Sequence, residues 1–284
     1  MFHRSLCLLQ NLIVIFKKIY NETVDFFRQI WLKRTLIYEL TKRDFKVKYS
    51  ANIFGFSWSV MEPVAMMVIL WFVFTYLRTG TSTTVPYSLF LLTGIIAYDF
   101  VNKSMNATVK SIKAYSFLIQ KVNFRMAVIP IVKLFSEIFI HLIVLLIVVI
   151  IMIFSHLSFS FYWFQVFYYL FAAMVLLIGI SWATSSIALF FPDISYIITI
   201  IMRLAFFFTP IFWSSENLTG KFAAYIRLNP LYYIVNGYRD SLLYHVGFWE
   251  KPGETIQYWA ITFVFLVIGV SVFKRLRPHF ADVI

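Results

Sequence analysis

Long apolar runs separated by short polar clusters organise this chain. The first spans residues 54–77 and stops at Arg78 and a polar tip, 79–84. The second, 87–101, is diluted by Thr93, Gly94 and Asp99, with Asn102 just beyond it. The third covers 127–154, the fourth 161–191, the fifth 194–213 and the sixth 256–273. About 20 apolar residues cross a bilayer as a helix, so the pattern predicts an all-α integral membrane protein with six transmembrane helices. A shorter run, 6–16, cannot span and has no cleavage site after it; it reads as an interfacial or buried helix.

Two further segments are patterned without being spans. In 36–48, Leu36, Ile37, Leu40 and Val47 fall on one helical side and Glu39, Lys42, Arg43 and Lys46 on the other. That predicts an amphipathic helix in the interface plane, or more plainly a cytoplasmic linker helix. Segment 214–255 is too long for an idle connection and too apolar for a disordered one. Asn229-Pro230 divides it, because proline cannot continue a helix and biases its predecessor toward extended backbone. Two short helices near 220–228 and 231–243 are predicted, forming a re-entrant hairpin with Arg239 and Asp240 near its turn back to water. A surface-lying amphipathic loop is the alternative. The chain divides into a cytoplasmic segment, 1–53, and a membrane domain, 54–284.

Composition agrees: 61% of the 284 residues are hydrophobic and 13% charged, against about 25% charged in soluble domains. The net charge of +12 is sorted rather than spread. Ten Lys/Arg lie in 1–48, five in 102–125 and three in 274–277, all on one face of a six-span topology. Arg78, Lys221, Arg227, Arg239 and Lys251 fall on the other. The positive-inside rule then places both termini in the cytoplasm and accounts for the charge without nucleic acid. Cys7 is the single cysteine, so neither an intrachain disulfide nor a cysteine metal cluster can form.

The chain contains no phosphate-cradling G-x-x-x-x-G-K-[ST] loop, no H-E-x-x-H and no G-x-S-x-G, so no catalytic or metal residue is assigned. The ionisable residues inside spans, Glu62, Lys133, Glu137 and Arg203, are costly there and mark a bundle interior or cavity. Lys133 and Glu137, four apart on one helix face, can pair with each other. Aromatic residues make up 20% of the chain. Trp58, Phe207, Phe208, Phe212, Trp213, Tyr232 and Tyr233 are the candidates for lining a path along which sugar rings slide on weak, repeated contacts. A proton-coupled small-molecule carrier stays open as an alternative. A membrane glycosyltransferase has only Asp240 and Glu216 to offer as acids.

Several short motifs, in order from Glu39 to the end, resemble one family. They are Glu39-Leu-Thr-Lys-Arg-Asp-Phe-Lys-Val-Lys-Tyr49, Gly55-Phe-Ser-Trp58, Met61-Glu-Pro63, Leu91-Leu-Thr-Gly94 and Leu118-Ile-Gln-Lys-Val-Asn-Phe124. Phe191-Pro-Asp193, Phe208-Thr-Pro-Ile-Phe-Trp213, Leu228-Asn-Pro230, Gly237-Tyr-Arg239 and Phe280-Ala-Asp282 follow. Together they resemble the permease subunit of ABC-2 type polysaccharide exporters. Phe208–Trp213 and Leu228–Tyr233 are most similar to the wall teichoic acid exporters.

The resemblance implies a homodimer in the bacterial cytoplasmic membrane, served by two copies of a separate ATPase subunit. That partner would bind Mg-ATP, and this chain would need no cofactor. The implied cargo is an undecaprenyl-pyrophosphate-linked polymer, wall teichoic acid first, O-antigen or capsule polysaccharide next. The implied ATPase-coupling element is 108–124, containing Ile112, with Leu118, Ile119 and Phe124 as apolar anchors and Lys121 and Arg125 at the rim. Asp193 offers a second contact. Lys42, Arg43, Lys46 and Lys48 lie where a pyrophosphate would arrive, and equally where anionic lipid would hold the helix.

Overall fold

The computed structural model describes residues 34–50, 55, 57–77, 86–116, 126–155, 157–214 and 220–283, and every regular element among them is helical. The run at 6–16 and the polar tip at 79–84 lie outside the described residues. The α-helices in chain order are α1 (Arg34–Ser50), α2 (Ser57–Leu77), α3 (Tyr87–Val109), α4 (Ser111–Ala114), α5 (Val128–Phe154), α6 (Gln165–Phe190), α7 (Ile194–Phe208), α8 (Gly220–Arg227), α9 (Pro230–Arg239) and α10 (Pro252–Leu276). Among the described residues, three helical stretches are long and apolar enough to cross a membrane: Val128–Phe154, Phe161–Phe190 and Pro252–Phe280.

Helix boundaries follow local chemistry. Ser160 accepts a bond from the Tyr162 amide and starts the 3₁₀ turn that runs into α6. Pro252 opens α10 and Pro230 opens α9, where the missing N–H costs nothing. The fifth apolar run does not stay helical to Trp213. α7 stops at Phe208 because Thr209 precedes Pro210 and takes extended backbone (φ −93°, ψ 138°).

The centre of the bundle is α3, the run that the apolar pattern made weakest. Sixteen of its 23 residues are buried, and α2, α5, α6, α7 and α9 pack around it. Its polar residues fit because its surroundings are protein rather than lipid. Thr93 bonds back to the Leu89 carbonyl at 3.0 Å, and Ser181 of α6 donates to Thr108 at 2.8 Å. Consequently α3 continues past Asn102 to Val109, into what the sequence pattern assigns to a cytoplasmic loop.

α6 and α10 cross closely, and small residues permit it. A Cβ on Gly179 would lie 2.8 Å from the Leu266 amide nitrogen, and one on Gly269 would strike the Gly179 carbonyl. Backbone approach of this kind replaces the missing hydrophobic drive between helices in lipid. Below the crossing, a second apolar cluster gathers Ile112, Ile131, Trp182, Phe273 and Phe280, and the Trp182 indole donates to the Ala127 carbonyl at 3.0 Å. Ile112 is fully buried there, packed within the domain rather than on its surface.

α1 lies against the start of α5, with Ile37 and Leu40 packed on Val128 and Val132. The buried stripe of α1 is Ile37, Leu40, Thr41 and Asp44, at spacings i, i+3, i+4 and i+7. Val47, three residues after Asp44, continues this stripe by spacing but is exposed.

Candidate functional site

Between the fifth and sixth runs the chain forms two short helices, α8 and α9, broken at Asn229-Pro230. The Asn229 side chain caps α9 by accepting from the Leu231 amide at 3.0 Å. Its amide nitrogen also donates to Thr209 at 3.0 Å, which ties the break in the hairpin to the end of α7. α8 leaves Tyr225 exposed, and a cleft of about 560 Å³ lies between it and Ile201, Leu204 and Phe208 of α7. α9 is different: Leu231 to Val235 and Gly237 to Arg239 are all buried, against α3, α6 and α10. A Cβ at Gly237 would collide with the Tyr169 ring, so only glycine lets α9 sit this close to α6.

Arg239 is the buried pivot of this region, at 2% exposure. The sequence places it near water; the structure does not. A π turn, Asp240–Tyr244, prolongs α9, and the chain leaves only at His245, whose left-handed φ of 55° ends the element. The guanidinium uses four of its five N–H donors. Nη1 donates to the Pro210 carbonyl at 2.5 Å and to Asn236 Oδ1 at 3.3 Å, Nη2 to the Ile211 carbonyl at 2.8 Å, and Nε to the Phe90 carbonyl at 3.3 Å. The Phe90 ring lies 3.5 Å from its central carbon, a cation–π contact. One side chain thus joins α9, α3 and the 209–211 turn. Gly94 makes room: a Cβ there would stand 2.6 Å from Nη2.

Asp240, next to it, pairs with Lys251 at 2.5 Å, which fixes the far end of the hairpin to the start of α10. Gln165 holds the return loop, donating to the Val246 carbonyl at 3.0 Å and accepting from the Phe248 amide at 3.1 Å.

A second polar feature is a cleft of about 410 Å³ lined by Glu62 of α2, Asp99, Asn102, Lys103 and Asn106 of α3, and Glu137 of α5. Lys103 bridges Asp99 at 2.9 Å and Glu62 at 3.6 Å, and Thr199 of α7 donates to Asn106 at 2.8 Å. Charged side chains from three separate helices converge here, with Glu62 at the exposed rim.

The third feature joins α1 to the bundle. Asp44, buried at 7% exposure, accepts from the Tyr115 hydroxyl at 2.7 Å and from the Lys133 ammonium. Lys133 therefore pairs across helices, with Asp44, rather than along its own helix as the four-residue spacing to Glu137 suggests. Burial first, then the bond to Asp44, pushes the Tyr115 hydroxyl's pKa up.

The remaining sequence candidates scatter. Lys42, Arg43 and Lys46 all lie on the exposed side of α1; the Lys48 side chain is outside the described residues. Trp58, Phe207 and Phe208 are exposed, and Phe212 and Trp213 half-buried. Tyr232 and Tyr233 are buried at 5% each, so they cannot offer their rings to a path along this chain's surface. Tyr233 instead bonds to Tyr168 and Thr255, at 3.0 Å each, and stacks on Tyr258. Asp193 is exposed at the start of α7. Leu118, Ile119, Lys121, Phe124 and Arg125 lie outside the described residues. The sequence reading missed Asp44. Its signal was an acid on the apolar stripe of α1, seven residues after Ile37, which marks a buried ion pair.

Apolar helices long enough to cross a bilayer, joined by buried charges and a pinned hairpin, define a multi-pass membrane protein. The chain belongs to the ABC-2 type transporter family, which matches residues 35–243. It is similar to the O-antigen export system permease protein RfbA of Klebsiella pneumoniae, 28% identical over 253 residues, covering 88% of this chain and 95% of that protein. RfbA of Myxococcus xanthus is 22% identical, over 90% of this chain and 97% of that protein. The polysialic acid transport protein KpsM of Escherichia coli is 23% identical, over 86% and 94%. Family members of this kind are the membrane subunits of transporters, not enzymes.

Proposed function

We propose that this chain is the permease subunit of an ABC exporter that carries a lipid-linked glycopolymer across the bacterial cytoplasmic membrane. The observation that carries the reading is the family match over 35–243, together with relatives whose names describe O-antigen export and polysialic acid transport. Six helices, α2, α3, α5, α6, α7 and α10, stand where the six apolar runs fall, and the charge sorting supports cytoplasmic termini. Two copies form the pathway, and two copies of a separate ATPase subunit bind Mg-ATP and drive it; this chain has no phosphate-cradling loop of its own. The partner docks on the later part of the 108–124 coupling element, 117–124 with Arg125 at its rim, and the 192–193 turn is a second contact. The hairpin of α8 and α9 re-enters the outer leaflet and walls the exit. Its backbone tolerates that depth because its polar groups are satisfied within helices or by the bundle.

The cargo hangs from undecaprenyl pyrophosphate, whose charge the exposed ammonium and guanidinium groups of α1 attract at the headgroup level. The motifs at 208–213 and 228–233 favour wall teichoic acid, and the relatives' names favour O-antigen or capsule polysaccharide. Depleting this permease in its native host tests the reading. Finished polymer should accumulate inside the membrane on its lipid carrier, and its composition identifies the cargo. Polymer synthesis that stops, with none accumulating inside, overturns the export role. Transport that follows a proton gradient without nucleotide assigns a carrier instead.

A further inference from the structure

The segment proposed to meet the ATPase begins just after Tyr115 and ends just before Val128. The described residues that flank it on either side are fastened to the same helix, α1. At the near end, the Tyr115 hydroxyl donates to Asp44 of α1 at 2.7 Å. At the far end, Lys133 of α5 donates to the same carboxylate oxygen, and Val128 and Val132 pack on Ile37 and Leu40 of α1. The Lys133 ammonium also lies 5.4 Å from the Tyr115 ring centre, which closes a triangle of three side chains from three elements. Asp44 is 7% exposed and Tyr115 8%, so water screens these bonds little.

Resting on the function proposed above, we infer that Asp44 is the positioning residue that makes α1 move as one body with the two ends of the ATPase-docking segment. Four points carry this. The carboxylate is the shared acceptor for groups on both sides of the segment. Charge-assisted bonds are about twice as strong as neutral ones and hold a fixed geometry. α1 bears the exposed cations Lys42 and Lys46, so a displacement of the segment swings that basic face relative to the bundle. Finally, apolar contact alone, through Ile37 and Leu40, would let α1 slide along α5, because such contact is non-directional. Asp44 removes that freedom. Its carboxylate is buried and occupied by Tyr115 and Lys133, so its contribution is to coupling.

The experiment uses the full transporter, permease with its ATPase subunit, in proteoliposomes containing the lipid-linked polymer recovered from the depleted host. Two quantities are read: ATP hydrolysed, and polymer exported per ATP. Asp44→Asn keeps the shape and removes the charge; Tyr115→Phe removes one bond and keeps the ring; Lys133→Met removes the other. Each should lower polymer exported per ATP by about tenfold while the ATPase subunit still copurifies in full amount. Asp44→Glu should recover part of the ratio. Overturning results are an unchanged ratio, or a fall in export and hydrolysis in equal proportion, which marks a merely structural residue. If Asp44→Asn fails to insert, Tyr115→Phe decides by the same ratio, since the Phe ring fills the same space. A wild-type complex that neither hydrolyses ATP nor exports polymer counts against the proposed function and not against Asp44.

Discussion

Replacing Arg239 tests how the hairpin is held. Arg239→Ala leaves the carbonyls of Phe90, Pro210 and Ile211 without their buried donor. Each orphaned acceptor costs about 1–3 kcal/mol, so the gross loss is roughly 3–9 kcal/mol. Relief from burying a guanidinium offsets part of it, and the net expectation is about 3–5 kcal/mol. Arg239→Lys should recover little. An ammonium presents its protons from one point, whereas these acceptors lie on α3 and on the 209–211 turn, spread around a planar fork. Gly94→Ala attacks the same joint from the other side. Its Cβ, 2.6 Å from Nη2, displaces the guanidinium at about 1–3 kcal/mol. The assay is thermal unfolding of the purified permease in detergent, for wild type, both single variants and the double variant. The sign of the coupling is the informative part. With the fork absent, the new methyl meets only ordinary contact with the Ile211 backbone at 3.6 Å, so Gly94→Ala should be milder in the Arg239→Ala background than alone. Strict additivity, or an Arg239→Lys protein as stable as wild type, refutes this account of Arg239.

Other consequences follow from the same structure. Gly269→Val should prevent normal packing of α6 on α10 and lower the unfolding temperature strongly, whereas Gly253→Ala, with nothing within 4 Å of the added carbon, should be silent in the same melt. Asn229→Ala removes the α9 cap and the tie to Thr209, costing about 1 kcal/mol for the cap. Pro230→Ala should reduce export while leaving membrane insertion intact, as measured by surface polymer and membrane fractionation. Single cysteines in a Cys7→Ser background should be labelled from inside at Lys113 and from outside at Tyr244. Outside labelling at Lys113 reverses the charge sorting and removes the six-span topology.

Much of this protein is legible from its sequence, because a bilayer imposes its demands locally. Runs of about 20 apolar residues have one stable use, and among the described residues three helical stretches on those runs are long and apolar enough to cross a membrane. The break at Asn229-Pro230 was equally local, since a proline ring and a capping amide act on their own neighbours. Tertiary structure decided what depends on neighbours distant in sequence. The pattern made 87–101 the weakest span; the bundle makes α3 its centre, where Thr93 and Gly94 face protein and an arginine instead of lipid. Arg239 read as a residue leaving the membrane, because no local signal announces carbonyls of Phe90, Pro210 and Ile211 waiting around it. Lys133 read as the partner of Glu137 four residues on, while its carboxylate lies 89 residues earlier, on α1. Apolar patterning is a property of each segment facing one solvent, and the sequence carries it outright. The pairing of buried polar groups is a property of which segments meet, and only the folded bundle determines that.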